Sequence, residues 1–375
     1  MRNIRILFLI VFLLILAVSD SALGQRVKVG NIPYREYQTN DTNTYMKAKC
    51  KLDISYVRNG KKLPTLIFFH GGGLTSGAKF FPNGALEDDS VIQVAVGYRL
   101  SPNVRCPAYI EDAAAAVAWV VRHINEYGGD VNKIYLSGVS AGAYLASMVY
   151  LDKSYLFRYG LDPDLLAGLF SYSGQMTTHY QVCQELFGGS YTSDSKYIDQ
   201  YAPLYHIRKT IKPIYFYTGD SALDMPGRYV QNVQISKELR KLGNLGNSQI
   251  YYIQLKGYNH NTFLPSAISG TSRVLAGDSF YNDSIKVTDV HVNIIDKEYP
   301  ENPLIKFRNK QLHIELSDTM KSVNIYDMQG HVVFNTKTNS NEVDVNTSSF
   351  GKLKGVYLVE IFTKRNRYLK KTILY

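Results

Sequence analysis

The chain has 375 residues, 45% hydrophobic and 20% charged, which suits one sizeable core with a smaller companion domain and excludes a disordered or fibrous chain. Its 42 Lys and Arg against 32 Asp and Glu give a formal charge of +10, yet the basic residues are scattered apart from Lys364–Lys371 and no nucleic-acid motif accompanies them, so nucleic acid is excluded as a partner. Cys50, Cys106 and Cys183 are too few for a disulfide framework and lack CxxC spacing; two could pair, but burial as small hydrophobes is the expectation.

The N-terminus carries Arg2 and Arg5, then the unbroken apolar run Ile6–Val18, then small and polar residues to Gly24. That is the layout of a secretory signal peptide over residues 1–24, cleaved before Gln25, with no cysteine there for lipidation. The apolar run is shorter than the roughly 20 residues a membrane span needs, so no stable span is expected after cleavage.

From Leu63 the chain alternates strand and helix. Pro64–Phe69 predicts a buried strand that ends in His70-Gly71-Gly72-Gly73, and Val91–Tyr98 predicts a second. Asp112–Ile124 is an alanine-rich helix with Trp119 on its apolar face. Lys133–Ser137 is a strand that turns at Gly138 into a helix over Ala141–Tyr150. Gly168–Tyr172, Ile214–Thr218 and Gln249–Leu255 predict further strands, with a helix over Gln231–Leu242. Short apolar strands alternating with helices imply a doubly wound, mainly parallel α/β sheet. Arg26–Lys62 and Leu151–Arg208 are left as lid and pocket material.

After about Phe263 the character changes. Ser266–Tyr281 interleaves Gly, Ser and Asp and reads as a loop or linker, within a linker and lead-in strand over 266–299. Short alternating strands follow at Lys286–Ile294, Gln311–Leu316, Ser322–Asp327, His331–Asn335, Val356–Phe362 and Lys370–Leu374, which together predict a small antiparallel β-sandwich over 300–375. The α/β domain thus occupies 25–265.

Gly138-Val139-Ser140-Ala141-Gly142 fits G-x-S-x-G between a strand and a helix, where two glycines allow a tight turn that exposes a serine hydroxyl. Ser140 is the candidate nucleophile; its bland alternative is a helix N-cap. Acyl transfer needs donors for the developing oxyanion, and the amides of Gly72, Gly73 and Ala141 are candidates to supply them. If the triad runs Ser, acid, His, the base falls downstream, and His260 sits in the loop after the last α/β strand. Asp224 and Asp220 both follow Ile214–Thr218; Asp224 lies further into the loop and is the favoured acid, with Asp220 the alternative. No metal or cofactor is required by this chemistry.

His70-Gly-Gly-Gly, Tyr98–Pro102, Pro107-Ala108 with Asp112, and Gly138–Gly142 together resemble the hormone-sensitive-lipase-like and feruloyl or acetyl-xylan-esterase-like α/β-hydrolases over about Leu63–Phe263. The resemblance implies a serine carboxylic ester hydrolase in which Ser140 and His260 react, Gly72, Gly73 and Ala141 form the oxyanion hole, and His70, Tyr98 and Asp112 support the site. It further implies a small-molecule or oligosaccharide ester substrate, with acetyl or feruloyl groups of polysaccharides favoured. Leu74 replaces a frequent aromatic, and Ala222 stands where the acid usually lies. A serine amidase or peptidase is the rival activity, and a catalytically inactive surface-binding hydrolase fold the rival class. Tyr299–Pro303, Val323–Gly330, Leu353–Val359 and Lys370–Leu374 are similar to type IX secretion C-terminal sorting domains. That similarity implies the type IX machinery as partner and export through the periplasm of a Gram-negative cell to the surface or medium. An accessory carbohydrate-binding domain is the alternative.

Overall fold

The computed structural model describes residues 25–36, 44–82, 89–209, 212–242, 249–277, 304–308, 311–326, 332–350, 355–363 and 367–374. The expected signal peptide, the strand Lys286–Ile294 and the motif Tyr299–Pro303 lie outside the described residues. The chain divides into two compact units, 1–288 and 289–375.

In the first unit the described strands are β1 (Arg26–Pro33), β2 (Lys51–Val57), β3 (Leu63–Phe69), β4 (Ile92–Val96), β5 (Gly129–Val139), β6 (Gly168–Tyr172), β7 (Ile214–Thr218) and β8 (Ile250–Gln254). They form one sheet in the order β1-β2-β4-β3-β5-β6-β7-β8. From β4 through β8 every pairing is parallel, while β1–β2 and β2–β4 are antiparallel. Parallel strands buried on both faces need apolar residues throughout, and LPTLIFF of β3 and IQVAV of β4 meet that need.

The helices include α1 (Thr44–Lys49), α2 (Ala108–His123), α3 (Ala141–Leu151), α4 (Lys153–Phe157), α5 (Tyr180–Phe187), α6 (Arg228–Lys241) and α7 (Leu264–Leu275). Ala113 to Ala118 of α2 are buried, and such small side chains let this helix lie close to α3. α3 packs against β3, β5 and β6, and α6 against β7 and β8. Phe68, Phe170, Tyr172 and Tyr217 form a core with Phe263, Ala267 and Ile268, closed by a 2.7 Å hydrogen bond between the hydroxyls of Tyr172 and Thr271.

Two readings change here. The segment from Ser266, expected to be a loop or linker, is most of α7: Pro265 occupies the first turn, where its missing N–H costs nothing, and Ala267, Ile268 and Thr271 fall at helical spacing on a buried stripe. The Gly and Ser between them masked that stripe. Part of the expected lid material, Arg26–Pro33 and Lys51–Val57, is instead the antiparallel edge β1–β2.

The second unit contains β9 (Leu304–Arg308), β10 (Gln311–Tyr326), β11 (Val332–Asn346), β12 (Gly355–Thr363) and β13 (Arg367–Leu374). All are antiparallel, in the order β11-β10-β12-β13, with β9 on β10. The two short strands expected at Gln311–Leu316 and Ser322–Asp327 are one long strand whose register breaks between Glu315 and Ser322. Leu312, Ile314, Val323, Ile325, Val345, Val359 and Ile361 are buried in its core.

Candidate active site

Ser140 lies between β5 and α3 with φ 55° and ψ −117°, a left-handed conformation that a non-glycine residue rarely adopts. Its neighbours permit it. A Cβ on Gly138 would collide with the backbone of Gly142, and one on Gly142 would collide with the carbonyls of Phe69 and His70. The bend therefore presses against the end of β3. Ser140 N–H donates to Tyr172 O at 2.8 Å, tying the bend to β6.

The glycine turn runs alongside. A Cβ on Gly71 would come within 3.3 Å of the Ser140 Cβ. Gly72 and Gly73 have φ of 110° and 64°, and the amides of Thr75 and Ser76 close the turn on Gly72 O at 3.1 and 3.0 Å. Among the described residues the Gly72 and Gly73 amides donate to no protein acceptor. Ala141 is buried at the first position of α3, the positive end of its dipole. Leu74, in the place of an aromatic, is fully buried and left-handed, at φ 66°.

His260 sits in the loop after β8, in a tight turn where Asn259 Oδ1 accepts from Asn261 N–H at 2.9 Å. Its Nδ1 lies 2.6 Å from Asp224 Oδ1, and since a carboxylate only accepts, Nδ1 carries the proton. Asp224 also accepts from Gly219 N and Met225 N, each at 2.7 Å. Burial pushes the Asp224 carboxyl upward, but the donors from His260, Met225 and Ser173 outweigh it and hold it below the usual carboxylate range. No hydrogen bond joins His260 to Ser140 among the described residues.

Asp220 does a different job. It is half-buried, accepts from Ala222 N and Gly257 N, both at 3.0 Å, and so ties the loop after β7 to the loop that carries His260. Those backbone donors hold its carboxyl below the ordinary range.

His70, Tyr98 and Asp112 separate into two groups. The His70 ring stacks on Tyr98 at 4.2 Å and donates from Nδ1 to Gly71 O at 2.7 Å, while Tyr98 OH donates to His70 O at 2.7 Å. Burial lowers His70 to about 4, so the ring is neutral at physiological pH and stiffens the glycine turn. Asp112 is fully buried on α2 and accepts from Arg99 Nε and Nη2 at 2.7 Å and from Arg35 Nε at 2.8 Å. It braces the strand-end segment after Tyr98 and touches neither Ser140 nor His260.

Sequence reasoning missed three residues here. Ser173, left-handed at φ 51°, places its hydroxyl on both Asp224 oxygens and on His260 Nδ1. Tyr180, at the start of α5, brings its hydroxyl against the open side of Gly73. Arg228 is fully buried at the start of α6, its guanidinium without a hydrogen-bond partner among the described residues and pushed down to about 10 by burial against the pull of Asp224. A Ser-Gly pair after a strand was the available signal for Ser173; no motif marks the others.

All three cysteines are free thiols; Cys50 and Cys183 are buried, and burial raises each of those two to about 12. Among the described residues no cluster of three His, Cys, Asp or Glu side chains could hold a metal ion, and no helix is long and apolar enough to cross a membrane.

Residues 52–157 match the BD-FAE family model, and residues 299–375 match the secretion system C-terminal sorting domain. Each model matches less than half of the chain: the first resembles part of the α/β unit, the second the antiparallel unit. The BD-FAE match runs from β2 to the end of α4, so it includes Gly71–Gly73 and Ser140 but stops before Asp224 and His260. Esterase LipQ of Mycobacterium tuberculosis is 27% identical over 241 residues, covering 58% of this chain and 54% of that protein. Esterase LipI of the same organism is 39% identical over 90 residues, 23% of this chain and 28% of that protein. The chain thus spans about half or less of the length of these curated relatives. Among solved structures, a bifunctional GH43-CE protein of Bacteroides eggerthii aligns at TM-score 0.53 and 17% identity over 67% of this chain and 38% of that one. Thermogutta terrifontis esterase 2, phosphoramylated by tabun, aligns at TM-score 0.50 and 19% identity over 67% and 92%. These structures share the fold. The sorting domain indicates secretion or attachment at the cell surface.

Proposed function

We propose that this protein is a secreted serine carboxylic ester hydrolase in which Ser140 is the nucleophile, His260 the general base and Asp224 the acid that orients it. The observation that carries the reading is the strained Ser140 bend, whose φ of 55° is sustained by close backbone packing around two glycines. Such strain persists only where surrounding structure enforces it, and it turns the hydroxyl out beside the glycine turn. His260 takes the hydroxyl proton as Ser140 attacks the ester carbonyl. The amides of Gly72, Gly73 and Ala141 receive the oxyanion, and the protonated imidazole then donates to the departing alcohol. Water repeats the sequence on the acyl-enzyme. Asp224, kept ionised by its donors, stabilises the imidazolium in between.

The substrate class we favour is acetyl or feruloyl esters of polysaccharides, with export by a type IX system through the periplasm of a Gram-negative cell. Residues 25–265 would carry the chemistry and 300–375 the sorting signal, after removal of 1–24. A fluorophosphonate probe should label the wild type and not Ser140→Ala, and p-nitrophenyl acetate should be cleaved faster than aminoacyl anilides. Faster anilide cleavage would replace the esterase with an amidase; absent labelling of the wild type would leave an inactive binding fold.

A further inference from the structure

The His260–Asp224 pair has a third member that no motif announces. Ser173 is the first residue beyond β6, the strand between those that carry Ser140 and Asp224. Its N–H donates to Tyr217 O on β7 at 2.7 Å, and its φ of 51° is the left-handed region that costs a non-glycine residue free energy. The strain has a product: Oγ lies 3.0 and 2.9 Å from the Asp224 oxygens and 3.1 Å from His260 Nδ1.

Counting protons fixes the directions. Nδ1 donates to Asp224 Oδ1 at 2.6 Å, so the single Ser173 hydroxyl proton goes to the carboxylate and an oxygen lone pair faces the Nδ1–H. The backbone donors to Asp224, Gly219 N and Met225 N, hold the carboxylate alone. Ser173 touches carboxylate and ring together.

We propose that Ser173 is a positioning residue for the His260–Asp224 pair, dispersing the carboxylate charge and limiting the tilt of the imidazole as it serves Ser140. The proposal rests on the triad reading above. Among the described residues, Arg228 of α6 and Tyr252 of β8 also face Asp224, while Asp220, on the same loop, is turned to Gly257. None of these touches the imidazole. With the hydroxyl gone, charge concentrates on Asp224 and the imidazolium is held more firmly. His260 must be neutral to act as base, so the acidic limb of kcat/KM then moves to higher pH.

The test compares Ser173→Ala with Ser173→Gly, both lacking the hydroxyl, while glycine also relieves the left-handed strain. Each should lower kcat about tenfold, the value of one hydrogen bond to a charged group, and raise the acidic limb by about one pH unit. KM for p-nitrophenyl acetate should hold. Ser173→Gly should melt higher than Ser173→Ala yet show the same kinetic defect, which a structural role would not produce. If Ser173→Ala fails to fold, Ser173→Gly alone decides. A wild-type limb and kcat in Ser173→Gly, with Ser140→Ala inactive, would overturn the role of Ser173. Full hydrolysis by Ser140→Ala would instead overturn the triad reading beneath it.

Discussion

Asp220 and Asp224 stand four residues apart on one loop and differ in what surrounds them. The Asp224 side chain is almost wholly buried, 1% exposed, and spends its oxygens on an imidazole, a hydroxyl and local amides; Asp220 is only half-buried and spends its oxygens on two loop amides. Removing the negative charge at each position should therefore have unequal effects. Asp224→Asn should lower kcat about ten-thousand-fold on p-nitrophenyl acetate, because the amide no longer fixes the tautomer or stabilises the imidazolium. Asp220→Asn should stay within a few-fold of the wild type. Comparable losses in both would refute the assignment. The sequence left this choice open for a physical reason: spacing along a loop does not say which carboxylate turns inward. Ser140 and the glycines were legible because their backbone needs restrict residue type. Ser173 and Arg228 were not, since a serine after a strand and an arginine opening a helix are ordinary in sequence and acquire meaning only through burial.

At the scale of elements, the parallel core was readable because β3, β4, β6 and β7 are short apolar runs with few other ways to fold. The edge pair β1–β2 was not, since RVKVGNIP exposes much of its surface and shows little apolar pattern. Helix α7 was missed because its buried stripe is built from small and polar residues, Ala267, Thr271 and Ser272 around one isoleucine. Where elements meet most tightly, the bend after β5 depends on Gly142. A Cβ there would strike the carbonyls of Phe69 and His70, which are strand-end backbone and cannot rotate away. Gly142→Ala should thus cost about 3 kcal/mol of stability, as overpacking does, and should lower kcat by displacing both Ser140 and the glycine turn. Chemical denaturation and steady-state kinetics read the two effects; a variant matching the wild type in both would show that α3 tolerates a shift away from β3.

At the scale of the whole molecule, each unit has its own buried core, one around Phe170 and Tyr217 and the other around Ile325 and Val359. A chain ending at Thr288 should keep its full kcat/KM on p-nitrophenyl acetate while accumulating in the periplasm instead of at the surface or in the medium, which fractionation and activity assays would measure together. Loss of activity on truncation would mean that the sorting domain contributes to the hydrolase itself. Helix α7 gives this prediction its footing. It is the last described element of the first unit, and its Ala267 and Ile268 cover the aromatic face of the sheet while Thr271 holds Tyr172. The greasy side of this unit is thus sealed by its own last described helix, and a shortened chain that keeps residues up to Gly277 brings its own cover for that side.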